Sequence, residues 1–162
     1  RSSAASDVYK RQMMDSYMLF TLQNYAAKLV EKETSPKYYF MDTGLLGLML
    51  MDCSSAQLEN LVAIELIRRY GRENVFYFEK NVEIDFYVPE EKLAIQVSLQ
   101  VLDQIDTRER EIGAFVKLKN FIGDATCLLI TNSEEEELDY EGVHVSVVPV
   151  WKWLLQNRKQ DI

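Results

Sequence analysis

LENLVAIELIRRYGRENVFYFEKNVEIDFYVPEEKLAIQVSL, residues 58–99, packs one helix and three strands into a short span, with polar side chains where apolar patterning leaves no room for them. Glu59 and Glu65 fall in a helix that is otherwise apolar almost all round. Asp85 interrupts the run Ile-Asp-Phe-Tyr-Val, and Gln96 and Ser98 alternate with Ile95 and Val97. Polar groups in such places need partners. A site shared between helix and sheet, able to hold a divalent cation or to bind nucleic acid, would supply them.

Outward from that stretch the punctuation is regular. Ser54 and Gln57 have capping-box spacing, so the helix starts at Ser54 or Ser55 and ends at Gly71. Strands are expected at 74–79, 83–88 and 93–99, and their short links favour an antiparallel meander. Asp106 and Glu109 open a second helix, with Ile112, Phe115, Val116 and Phe121 on its buried face, and Gly123 closes it. ATCLLIT, residues 125–131, reads as a central strand buried on both faces. The acidic run 134–137 reads as a solvated loop. Val143 to Val148 forms a last strand, and Pro149 opens a terminal helix anchored by Trp151, Leu154 and Leu155. Upstream, SYMLFTLQ (16–23) and KYYFM (37–41) suggest a hairpin around a turn of helix, and TGLLGLMLM (43–51) a buried helix with Met49 and Met51 as core filling. Asp42-Thr43-Gly44 resembles half of an aspartic-protease pair; with one copy it reads better as a turn that caps the next helix. The sum is an α/β sandwich around a mixed sheet.

A chain of 162 residues, 48% hydrophobic and 27% charged, suits one soluble domain. Its net charge of −8 works against phosphate binding except through a local basic patch. Cys53 and Cys127 do not make a disulfide framework and suggest buried thiols in a reducing, cytoplasmic setting. No run reaches the ~18 apolar residues of a membrane span. His144 is the single histidine, which argues against a histidine-rich zinc site. Residues 1–12 end in DVYKRQ, which looks like translated transposon-adaptor sequence, so the natural chain is expected to enter near Met13 as a fragment.

Metal-assisted phosphodiester hydrolysis needs carboxylates fixed on rigid elements and an activated water. Glu59 on the helix and Asp85 on the second strand are the candidate Mg²⁺ ligands. Gln96 on the third strand would orient the metal or water, with the Val97 carbonyl as a further oxygen. Magnesium takes such oxygens at about 2.1 Å. Glu65, six residues from Glu59, points elsewhere. Candidate nucleic-acid contacts are Arg68 and Arg69 in the helix's last turn and Arg108 and Arg110 on the second helix. The plainer alternatives are dipole complementation for the first two and helix-face ion pairs for the others.

ENLVAIEL, then EIDF, then IQVS, flanked by KYYFMDTGLL, TRERE and VPVWKWLL in that order, resembles the PD-(D/E)XK nuclease-like domain at the C-terminus of a group of bacterial and archaeal AAA+-type ATPases, a domain of unknown function. The resemblance runs from about Asp15 to Leu155. It implies a restriction-endonuclease-like α/β sandwich at 54–162, preceded at 13–53 by the remnant of a winged-helix-like segment and a linking helix. It also implies a missing N-terminal ATPase module as partner. No Gly-x-x-x-x-Gly-Lys-Ser/Thr loop occurs here, so ATP belongs to that module alone. Active nucleases of the superfamily carry Glu-x-Lys on the third strand, where this chain has Gln96-Val97-Ser98. Gln is a weaker ligand and Ser98 sits at the lysine position, which points to a degenerate site. The expected function is nucleic-acid binding or protein docking for the ATPase. The alternatives are an Mg²⁺-dependent DNA endonuclease and a purely structural interaction module, and oligomerisation is compatible with each. An exposed apolar patch within residues 15–52 would favour a partner domain.

Overall fold

A computed structural model describes residues 3–30, 35–49, 54–102 and 105–156. Cys53 and Met51 lie outside these residues. In chain order the elements are α1 (Ser3–Asp15), β1 (Leu19–Asn24), α2 (Tyr25–Val30), β2 (Lys37–Phe40), α3 (Thr43–Met49) and α4 (Ser54–Tyr70). After a 3-10 turn at Arg72–Asn74 come β3 (Phe76–Glu79), β4 (Glu83–Val88), β5 (Leu93–Val97) and α5 (Ile105–Ile122). The chain continues through β6 (Thr126–Thr131), β7 (Glu136–Tyr140) and β8 (Val143–Pro149) to α6 (Val150–Gln156).

One mixed sheet runs β2-β1-β3-β4-β5-β6-β8-β7. The β3–β4–β5 meander is antiparallel, as its short links require. β5, β6 and β8 are mutually parallel, with α5 as the crossover between β5 and β6. Helices cover both faces, and the α/β sandwich follows from that.

On one face Phe20, Leu22, Tyr77, Phe86 and Ile95 pack with Val62, Ala63 and Leu66 of α4 and Trp153 of α6. On the other Phe78, Ile84, Tyr87, Leu129 and Val147 pack with Ile112, Phe115 and Leu118 of α5. Each of the Val, Leu, Ile and Phe side chains among these, buried from water, contributes about 1.5–3 kcal/mol. β6 is central, and its even mixture of both faces explains its uninterrupted apolar sequence. α4 ends at Gly71, whose φ of 82° suits glycine and whose N–H reaches the Ile67 carbonyl.

The segment 13–53 is continuous with the rest in its described part. β1 pairs antiparallel with β2 and parallel with β3, so the hairpin extends the same sheet. Asn60, 2% exposed on α4, fastens it: the Asn60 Oδ1 accepts the Phe40 N–H and its amide donates to the Phe40 carbonyl. Asp42 Oδ1 accepts the Gly44 N–H, and α3 starts at Thr43, so the Asp-Thr-Gly triplet is a helix-start turn. The described part of the adaptor-like stretch is helical, within α1.

The acidic run is not simply a loop. Glu136 and Glu137 begin β7, an edge strand paired antiparallel with β8. Only Leu138 of that strand is buried, which is why hydrophobic alternation did not reveal it. The two-residue turn Glu141-Gly142, both at positive φ, closes the hairpin. Glu134 is also employed: its carboxylate accepts the backbone N–H groups of Val101 and Leu102. No helix among the described residues is long and apolar enough to cross a membrane.

Candidate functional site

The site forms where β4 and β5 part. Along β3 and β4 the pairing passes from Phe76↔Tyr87 to Phe78↔Ile84, two steps on one strand against three on the other. The extra residue is a β-bulge at Asp85 and Phe86, a device that re-aims side chains. It breaks the alternation, so Ile84 and Tyr87 both face α5 while Phe86 faces α4. It also leaves backbone groups of β4 and β5 without ladder partners beyond Phe86↔Ile95.

Asp85 and Gln96 close that gap reciprocally. The Gln96 Oε1 accepts the Asp85 N–H at 2.9 Å, and its amide donates to the Glu83 carbonyl at 3.2 Å. The Asp85 Oδ2 accepts the Val97 N–H at 2.9 Å. Each side chain therefore takes the place of a missing ladder bond. Replacing Gln96 with Leu leaves the Asp85 N–H and the Glu83 carbonyl without these partners and is expected to cost about 2 kcal/mol, read as a lower urea midpoint at unchanged slope. A Leu variant as stable as the parent would show that water replaces both bonds.

Glu59, Glu83, Asp85, Gln96, Arg110, Glu111 and Lys117 line one polar cavity of about 380 Å³ between the parted strands and α5. β2 meets the same acids from a neighbouring pocket, which Lys37, Tyr39 and Glu59 line. The Lys37 Nζ lies 2.6 Å from Glu83 and 3.8 Å from Asp85 Oδ1, and the Tyr39 hydroxyl donates to Glu59 at 2.8 Å. Burial and then the Glu59 charge lift the Asp85 carboxyl from its ordinary 3.8 to about 7, against the pull of Lys37 and the Val97 N–H. Burial and Glu59 likewise raise the Tyr39 phenol. Burial opposes the Lys37 ammonium, but the Glu83 hydrogen bond and the charges of Asp85 and Glu59 outweigh it and raise its pKa.

The expected ligands Glu59 and Asp85 thus share a cavity, with Gln96 beside them. Ser98 does not line it; its hydroxyl donates to the Gln100 carbonyl. The donor set fits a divalent cation poorly. Gln96 spends both amide atoms on the backbone, Asp85 spends one oxygen on Val97, and Glu59 already accepts from Tyr39. Among the described residues no three His, Cys, Asp or Glu side chains converge as a metal site.

The arginines divide. Arg68 and Arg69 both bind Glu65 within α4, and Arg69, stacked on Trp153, serves the α4–α6 contact. They lie about 14 Å further along α4 than Glu59, given 1.5 Å per residue. Arg110 lines the cavity and pairs with Glu111, whereas Arg108 does not line it. Lys37, Tyr39 and Glu111 escaped the sequence reading. The first two come from a strand far upstream, and only the period-2 placement of Lys37 and Tyr39 on a single face could have hinted at them.

Compared with known proteins, the chain is similar to an uncharacterized protein of Methanocaldococcus jannaschii, 32% identical over 157 residues. The match covers 91% of this chain and 35% of that protein, so the chain spans about a third of its relative's length. No family model matches the chain, and no solved structure matches it.

Proposed function

We propose that this chain is a restriction-endonuclease-like domain of an AAA+-type ATP-binding protein that has given up cleavage and serves its ATPase by docking. The observation that carries the reading is the reciprocal Asp85–Gln96 bridge, which commits to strand closure both amide atoms of Gln96 and one of the two Asp85 oxygens. Docking is favoured over nucleic-acid binding on charge. Arg68, Arg69 and Arg110 are each engaged by a glutamate, in a chain of net charge −8. Tyr17, Tyr38, Met41 and Leu48 are exposed large apolar side chains within the stretch where a partner domain would sit.

The test is incubation of the protein with supercoiled plasmid at millimolar Mg²⁺ or Mn²⁺, beside Asp85→Asn. Intact plasmid with both proteins is expected. Nicking by the parent that disappears in Asp85→Asn would overturn the docking reading in favour of a metal-dependent endonuclease.

A further inference from the structure

We infer that His144 is a proton-operated clamp on the acidic edge of the sheet: as imidazolium it bridges Glu137 and Asp139 and holds β7 against β8, and once neutral it keeps only one of the two acids. The inference is independent of the docking reading and of the cavity beside Asp85.

Asp139 stands directly opposite His144 in the register of β7 and β8, and Glu137, two residues earlier on the strand, shares its face. The ring reaches both. Its Nδ1 lies 3.0 Å from Asp139 Oδ1 and its Nε2 3.1 Å from Glu137 Oε2. A neutral imidazole has one N–H and one lone pair, so it donates to one carboxylate and turns the lone pair on the other. Only the doubly protonated ring donates to both. The hydrogen bond to Asp139, then the charges of Asp139 and Glu137, hold the ring's pKa above its ordinary 6.5 against desolvation. On the β6 side the next step of the register is the uncharged Thr126. Across the cavity of about 280 Å³ that His144 shares with the end of α5, Lys119 and Asp124 are paired with each other at 2.9 Å. β7 is otherwise held by its ladder to β8, by Leu138, its one buried side chain, and by Glu135 just ahead of it, which pairs with Lys152. Loss of the proton leaves two carboxylates two residues apart on one strand face with a single donor between them. The clamp is therefore fully engaged below pH 6.5 and is lost as pH rises through the raised value of the folded chain.

Because His144 is the single histidine, one imidazole resonance reports its proton. An NMR titration of that ring in the full chain is expected to give a midpoint above 6.5, which falls back towards that value in Glu137→Gln/Asp139→Asn. Exchange of the β7 amides bonded to β8 is then compared between the parent and His144→Gln at pH 6 and at pH 9. Each ratio is taken at one pH, so the intrinsic rise of exchange with pH cancels, and Asp85, intact in both proteins, cancels with it. At pH 6 the variant is expected to exchange about threefold faster, since an exposed ion pair amounts to a factor of about 1.4–5. At pH 9 the two should coincide. His144→Lys, charged at both pH values, should exchange more slowly than His144→Gln at both. A parent midpoint at or below 6.5, a midpoint that the double variant leaves unchanged, or a parent-to-variant ratio that is the same at both pH values overturns the inference. None of these results touches the docking reading, which stands or falls on plasmid cleavage by the parent.

Discussion

Asp85→Asn is expected to stabilise the protein at pH 8 by about 2–4 kcal/mol and to change its stability far less at pH 4, where the folded carboxyl is neutral and the unfolded one has only begun to lose its proton appreciably. The sign follows from the direction of the shift. Asp85 has its pKa raised from 3.8 to about 7 by burial and then by Glu59, so the folded chain holds this proton more tightly than the unfolded one. Stability is consequently lost as pH climbs from the unfolded value to about 7, at about 1.4 kcal/mol per unit, and the loss is complete above it. Asparagine keeps an oxygen for the Val97 N–H and removes the charge that burial and Glu59 disfavour. In thermal melts the gap between variant and parent should open to roughly 5–10 °C between pH 4 and pH 8. A gap constant across that range would mean that Lys37 fully neutralises Asp85 and that its proton is not coupled to folding.

The second large effect belongs to Arg69. Its side chain is 8% exposed, its Nε lies 2.7 Å from Glu65, its terminal amine donates to the Trp153 carbonyl, and its guanidinium stacks 4.1 Å over the Trp153 ring. Glu65 is held below its ordinary pKa, chiefly by Arg68 and then, against burial, by Arg69, so it stays ionised. Arg69→Ala leaves that buried carboxylate with Arg68 alone and strips the partner from α6. A loss of about 3 kcal/mol is expected, the low end for breaking a buried pair because Arg68 remains. Chemical denaturation followed by tryptophan emission reads both the lost stability and the released Trp153. A loss below 1 kcal/mol would mean that α6 is held by apolar packing alone.

Much of this architecture was legible because local signals agreed. The Ser54/Gln57 box, Gly71 and the short strand links each point to one chain path, and the helix and meander lie where they indicate. β7 was hidden because an edge strand needs only one buried side chain, Leu138, and can carry acids elsewhere. Polar intrusions pointed to Glu59, Asp85, Gln96 and Ser98, of which the first three line one cavity and Ser98 does not, since a polar residue in a core position must be answered by something. What answers them was not legible. Pairing of Lys37 with Glu83 spans 46 residues, and the Asp85 bulge is a register event with no residue type of its own.

The amide of Asn60 has one more consequence. By occupying both backbone groups of Phe40, a helix side chain does for the β2 margin what a further strand would otherwise do. The opposite margin, β7, is an edge strand rich in acids, with Glu136 exposed and Glu137 and Asp139 facing His144 of β8, and charged edges of this kind discourage a further strand. The sheet is thereby terminated at one end by an amide plug and at the other by charge. Ribbon-like growth of the sheet through strand pairing is thus disfavoured from both directions.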